Sequence, residues 1–387
     1  MHIPFNRPFL TGREFEYIHQ ALAGGKISGD GTFTQKCHAR LESELGIHKA
    51  LLTTSCTHAL EMAALLLDIQ PGDEVIIPSF TFVSTVNAFA LRGARPVFID
   101  IRPDTLNLDE TKLEGLITSR TRAIVVVHYA GVGCDMDKIL EVADRHVIPV
   151  VEDNAHGLFG KYKGRYLGSL GCLATQSFHE TKNFSCGEGG ALLINEPQYV
   201  ERAEIIREKG TDRSRFFRGQ VEKYTWMDIG SSYLPSDMLA AFLYAQLEAR
   251  DCIQSKRQRI WEYYDEHLRE WAADFNVKLP TIPPDCEQTF HMYYLVLPTL
   301  EERHRLLTHL NDSDINSVFH YQPLHLSRMG REFGGEQGQC PVSEDVSERL
   351  LRLPFYTGLS EADQCRIVSV LKAFACDSLR SGRQHIA

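Results

Sequence analysis

The chain has 387 residues, 43% apolar and 24% charged, with a net charge of −10. That length can bury a large core and suggests two or three domains of ordinary globular composition. The acidic balance argues against a general nucleic-acid binder, and no apolar run approaches the ~18 residues of a membrane-spanning helix.

The opening Met1-His2-Ile3-Pro4-Phe5-Asn6 breaks up too soon for a secretion signal. Residues 6–12 read as extended and 13–23 as a helix. Residues 24–31 form a glycine-rich loop whose spacing does not fit a dinucleotide motif, and which reads better as a loop over an active site. A second helix covers 33–45. Residues 51–57 followed by 58–67 read as strand, tight turn and helix. The N-terminus of that helix offers unpaired N–H groups and partial positive charge to a phosphate, although Ser55 or Thr57 can also simply cap it. Buried strands are expected at 74–78, 94–100 and 123–129, then a helix opened by Asp135, then the apolar run 147–151. Alternating strand and helix predict a mostly parallel sheet covered on both faces.

Two strand ends carry chemistry. Asp153 closes the run Val147-Ile148-Pro149-Val150-Val151-Glu152-Asp153, which puts its carboxylate at the C-terminal edge of a buried strand. Open α/β sheets bind ligands at that edge. Lys182 follows 29 residues later, between Ser177 and the turn Gly187-Glu188-Gly189-Gly190 that leads into the apolar strand 191–195. A lysine held partly out of water can be neutral and nucleophilic, as Schiff-base chemistry requires. The pair suits pyridoxal phosphate: the lysine carries its aldehyde, and the acid keeps its pyridine nitrogen protonated.

Farther along, residues 209–223 hold five cationic and two acidic side chains, a local +3. Ser236 is expected to cap a long helix with Met238, Leu239, Phe242, Leu243, Gln246 and Leu247 at helical spacing, a core stripe or a seam between subunits. A smaller C-terminal α/β domain follows, with strands near 292–297 and 317–321 and a last helix over 361–374. Residues 378–387 are expected to fray. The division reads as 1–249 and 250–387. The ten cysteines include no C-x-x-C pair and no Cys/His set has zinc-ligand spacing, so reduced thiols, a cytoplasmic location and no metal are expected.

With these blocks the chain resembles the DegT/DnrJ/EryC1/StrS family of sugar aminotransferases, from about Ile3 to Ala375. The resemblance implies the aspartate-aminotransferase (type I) fold: α/β, with a mostly parallel seven-stranded sheet plus a smaller C-terminal α/β domain. It implies pyridoxal phosphate as cofactor and Lys182 as the catalytic lysine. Asp153 would hold the pyridine nitrogen, Phe82 would stack on the ring and His156 would meet the phenolic oxygen. Ser177, Ser55, Cys56 and Thr57 would hold the phosphate. The family usually has Ser-Gly-Thr where this chain has Ser55-Cys56-Thr57. Most members have Gly-x-Asn-x-Arg, whose Asn reaches the phosphate of the other subunit's cofactor, where this chain has Gly230-Ser231-Ser232-Tyr233-Leu234. Ser232 still offers a hydroxyl. The departure is shared with the branch that makes dTDP-4-amino-4,6-dideoxygalactose, as in enterobacterial common antigen synthesis.

The implied substrates are L-glutamate and dTDP-4-dehydro-6-deoxyglucose, handled by a homodimer with shared active sites. Ser28 and Gly29, His325 of Gln322-Pro323-Leu324-His325, and Arg213, Arg215 and Arg218 are the expected sugar-nucleotide contacts, the arginines suiting a diphosphate. One rival is the same chemistry with an equatorial C4 amine, and another is a cofactor-binding regulator without turnover. Family dehydratases carry His at the lysine position, which Lys182 argues against. A nicotinamide dehydrogenase would need G-x-G-x-x-G after a strand.

Overall fold

Aliphatic runs form the strands of a central sheet whose residues are almost all buried, because helices cover both faces. The structure, a computed structural model, describes residues 2–383. In chain order its strands are β1 (Lys49–Thr53), β2 (Glu74–Pro78), β3 (Arg95–Ile99), β4 (Thr121–Val127), β5 (Val150–Asp153), β6 (Lys161–Tyr162), β7 (Arg165–Tyr166), β8 (Leu173–Ser177), β9 (Gly190–Ile194), β10 (Cys286–Glu287), β11 (Tyr294–Val296) and β12 (Leu350–Arg352).

Seven of them make the central sheet in the order β1-β9-β8-β5-β4-β2-β3. Only β9 runs against the rest, pairing antiparallel with β1 and β8. Side chains alternate between two cores. Leu51, Leu192 and Ile194 pack with the helices Cys56–Leu66 and Val200–Arg207. Ala50, Leu52, Ala191 and Leu193 face the helices Glu14–Ala23, Thr32–Leu45 and Asp237–Glu248. Helix starts are fixed by side-chain caps: Ser55 accepts from the His58 N–H, Asp135 from Lys138 and Ser236 from Leu239. Each such cap contributes about 1 kcal/mol.

The register brings chemistry-bearing strand ends together. Val127 lies opposite Asp153, Asp153 opposite Thr175, and both Ser177 and Thr53 opposite Gly190. The carboxyl ends of β4, β5, β8 and β1 thus share one edge with the start of β9.

A second core is built from the helices Arg250–Asp274, Leu300–Asp312 and Glu361–Arg383 around the antiparallel pair β11–β12. Ile3 bridges Ile315 and packs into this core, so the chain's start crosses over to its C-terminal part. Two expectations change here. Residues 317–321 form no strand but a single bridge, Val318 to Arg352. The stripe helix stops at Glu248 and takes the first of its two expected places, facing the core with Leu243, Gln246 and Leu247 buried. The last helix runs past 374 to Arg383, which takes in much of the tail expected to fray, while 384–387 lie outside the described residues. No helix among the described residues is long and apolar enough to cross a membrane.

Candidate active site

A cavity of about 600 Å³ opens at the shared sheet edge. That size suits a cofactor with a small substrate. Asp153, at the end of β5, lies on its wall, as do Ser177, at the end of β8, and Lys182, in the loop that joins β8 to β9. Backbone bonds continue the β8–β9 ladder beyond the strands, Phe178 N–H to Gly189 O at 2.8 Å and Glu180 N–H to Gly187 O at 2.9 Å. Gly187 makes the return at φ +87°, a conformation that favours glycine. The lysine is therefore carried on a short, tied loop.

Burial pushes the Lys182 amine down to about 8, while the neighbouring Asp153 works in the opposite direction. An appreciable share of the amine is then neutral just above neutral pH. Burial also pushes the Asp153 carboxyl up. One of its oxygens accepts from Thr85 Oγ1 at 2.7 Å and the other from the Ala155 N–H at 3.2 Å, which fixes its orientation. A protonated ring nitrogen facing that carboxylate would favour its charged form.

Phosphate-binding geometry comes from the start of the helix Cys56–Leu66. Gly190 presses against it so closely that a Cβ there would lie 2.4 Å from the Cys56 nitrogen. Ser55, Cys56 and Thr57 all line the cavity. Ser55 also caps the helix, so both of its expected roles are open to it. Cys56 points its sulfur at Thr175 Oγ1, 3.6 Å away, and Thr57 donates to Ser84 at 2.8 Å.

Phe82 lines the cavity and is 59% exposed, so it is no core residue despite its apolar segment. His156 also lines the cavity, buried and stacked on His291 at 4.2 Å. Its Nδ1 is buried without a hydrogen-bond partner. An orphaned buried polar atom on a side chain that lines the cavity fits a bound group with a hydrogen-bond partner to offer there. Burial, helped by Lys182, pushes the His156 pKa well down and keeps the ring neutral. These residues fit pyridoxal phosphate: a lysine for its aldehyde, a carboxylate for its ring nitrogen, a helix start for its phosphate. Among the described residues no His, Cys, Asp or Glu cluster could hold a metal.

Seven expected contacts do not reach this cavity. Ser28 is exposed and Gly29 packs on Leu234 and Pro235, because Asp30 ties their loop to buried Arg207 at 2.7 Å instead. The three arginines are spent nearby: Arg213 pairs with Glu208, Arg215 with Glu201 and Arg218 with Glu204. The local +3 ignored acids on the preceding helix, which fold back onto it. His325 is wholly buried, held by Ser79 Oγ at 2.6 Å and Glu344 at 3.0 Å, a packing role. Ser232 is exposed beside its bridge to Glu208, also outside this chain's own cavity.

Sequence reading also missed Thr85, which holds Asp153, and the lining residues His291, His320, Tyr321 and Arg352. Signals for His291 and Arg352 were available: a lone histidine before the apolar run 292–297, and a lone arginine inside Leu350-Leu351-Arg352-Leu353.

A lysine and an acid placed for pyridoxal phosphate at the edge of this sheet mark a pyridoxal-phosphate enzyme of the type I fold. Comparison agrees. Residues 8–372 match the DegT/DnrJ/EryC1/StrS aminotransferase family, and the chain belongs to it. It is 32% identical over 383 residues to GDP-perosamine synthase of Escherichia coli O157:H7, covering 97% of this chain and 99% of that one. The aminotransferase TlmJ from Streptoalloteichus hindustanus superposes with a TM-score of 0.89 at 29% identity, over 97% of this chain and 100% of TlmJ. A Streptococcus pneumoniae protein solved in its PLP form superposes at 0.89 with 27% identity, covering 97% of this chain and 99% of that one. The chain is a PLP-dependent sugar aminotransferase.

Proposed function

We propose that the chain transfers the amino group of L-glutamate to C4 of dTDP-4-dehydro-6-deoxy-D-glucose, giving dTDP-4-amino-4,6-dideoxy-D-galactose and 2-oxoglutarate. The observation that carries the amino transfer is the meeting of Lys182 and Asp153 in one cavity beside a helix N-terminus. The particular sugar rests on the segment Gly230-Ser231-Ser232-Tyr233-Leu234. Pyridoxal phosphate, when bound, supplies the electron sink that lets nitrogen move between an amino acid and a ketone. Lys182 holds it and moves a proton to or from the reacting carbon, a role worth roughly 10²–10⁴-fold. Asp153 holds the proton on the ring nitrogen, oriented by Thr85 and the Ala155 N–H. Phe82 covers the ring, His156 positions it, and Ser177 with the amides of Cys56 and Thr57 binds phosphate.

The working unit in this reading is a cytoplasmic homodimer whose subunits share active sites. Its support is the exposed row of Phe217, Trp226, Met227 and Ile229, with Ser232 close by in sequence to meet the partner's cofactor. Two domains, 1–249 and 250–387, fit the separate second core, with Ile3 crossing between them. A GDP-linked 4-keto sugar is the second reading, favoured by the name of the Escherichia coli relative.

The test is incubation of purified holoenzyme and glutamate with the dTDP-linked and a GDP-linked 4-keto-6-deoxy sugar, followed by proton NMR. Conversion of the dTDP sugar with a small H3–H4 coupling marks the axial, galacto product. A large coupling marks the equatorial isomer and overturns the assigned product. Conversion of the GDP sugar alone overturns the nucleotide.

A further inference from the structure

His156 has both its backbone and its ring held by one short segment from far along the chain, Thr289-Phe290-His291. Thr289 Oγ1 donates to the His156 carbonyl at 2.7 Å. Two residues on, the His291 ring lies face to face with the His156 ring, with 4.2 Å between centroids and 18° between planes. Both histidines line the cavity, and both are buried.

The segment is itself tied on three sides. The Thr289 N–H donates to Gly131 O at 3.2 Å, in the loop after β4. Buried Arg257, on the helix Arg250–Asp274, donates to the Phe290 carbonyl at 2.9 Å and to the His291 carbonyl at 2.6 Å. Asn183, next in the chain to Lys182, completes the hold. Its amide N–H donates to Thr289 O at 2.7 Å, which leaves its Oδ1 to accept from His291 Nδ1 at 2.9 Å. Within these ties Phe290 adopts φ +52°, a left-handed conformation that costs a bulky residue and persists only where its surroundings impose it.

Ring chemistry gives this hold a purpose. The last torsion of a histidine is broad, so its plane is set by whatever packs on it. A hydrogen bond from an imidazole N–H runs close to the ring plane and weakens as that plane tilts. A stacked ring that Asn183 holds in place removes this freedom from His156. The stack is one of neutral rings, since burial above all pushes both proton affinities well down. The bond to Asn183 also fixes the His291 tautomer, with the proton on Nδ1.

We infer that His291 is a positioning residue for the cofactor: held by Asn183, it sets the plane of His156 against the bound ring and ties that plane to the loop that carries Lys182. This rests on the reading that His156 meets the cofactor's phenolic oxygen, and not on the identity of the sugar.

The test uses the full chain as H291L, H156L and the double variant. Two quantities are read: the Kd for pyridoxal phosphate on refilling cofactor-free protein, and the absorbance maximum of the bound cofactor, which reports the surroundings of its phenolic oxygen. H291L should weaken the cofactor about 3–10-fold and move the maximum in the same direction as H156L does. In the H156L background the further change made by H291L should shrink to less than about twofold, as a residue acting through another requires. Penalties that multiply, or an H291L maximum that stays put, overturn the inference and leave the role of His156 standing. An H156L maximum that stays put removes the reading beneath it, and the inference falls too. Should H291L not fold, N183L, which frees the His291 ring, runs the same cycle against H156L with the same outcomes.

Discussion

The edge of the central sheet and the segment from Lys209 to Leu234 both carried strong sequence signals, and they fared differently. At the edge, Asp153, Ser177, Lys182 and the helix start at Cys56 converge on one cavity. In the segment, three arginines meant for a diphosphate turn to Glu208, Glu201 and Glu204. A residue at a strand end has its place set by the hydrogen-bond register of its neighbours, whatever its own side chain prefers. A residue on a solvated loop takes the nearest opposite charge. Charge counted over 15 residues says nothing of acids on the helix before it.

The largest test of this contrast is K182A. Turnover should fall by at least about 10³-fold, and borohydride should no longer fix the cofactor to the chain by mass. Retention of a covalent adduct would break the claim that this sheet edge holds the reacting amine. D153N comes next, with an expected loss of about 10²–10³-fold in the donor step and a shift of the bound cofactor's absorbance.

On the other side of the comparison, W226D should weaken self-association, because Trp226 is 77% exposed with Met227 and Ile229 beside it. Sedimentation velocity reads this directly: a dimer for the unaltered chain and a larger monomer fraction for the variant. An unaltered chain that sediments at 43.8 kDa would remove the dimer.

Lys182 also predicts a pH-dependent stability in protein freed of cofactor. Its folded pKa, about 8, lies below the ordinary lysine value of 10.5, so the fold disfavours the proton. The penalty is full below pH 8 and is relieved as pH rises from 8 toward 10.5. K182M should therefore raise the melting temperature by a few degrees at pH 7, and the gain should shrink above pH 8. A gain that grows with pH would refute the burial.

The smallest effect is expected from R218Q. Its pair with Glu204, open to solvent on the arginine side, contributes about 1 kcal/mol, and KM for the nucleotide sugar should change less than about threefold. A larger change would show that the segment reaches a partner's site after all.

Much of the fold was legible in the residues. Strands at 74–78 and near 95–99 and 150–153, and the caps at Ser55, Asp135 and Ser236, follow from local apolar runs and short hydrogen bonds. The extra helical turns after Phe374 and the missing strand at 317–321 were not, since each depends on what packs or pairs across the second core.

Sequence by itself determined which residues could carry the chemistry: a lysine in a glycine-bounded loop, an acid ending a buried strand, a helix start fit for phosphate. Each is a local feature, written within a few residues of sequence. Only the tertiary structure decided that Thr85 orients Asp153, that His325 is packing, and that Arg352 joins Lys182 from 170 positions away. Such contacts form between elements distant in the chain, and burial then sets the charge each group can carry. No window of sequence contains them.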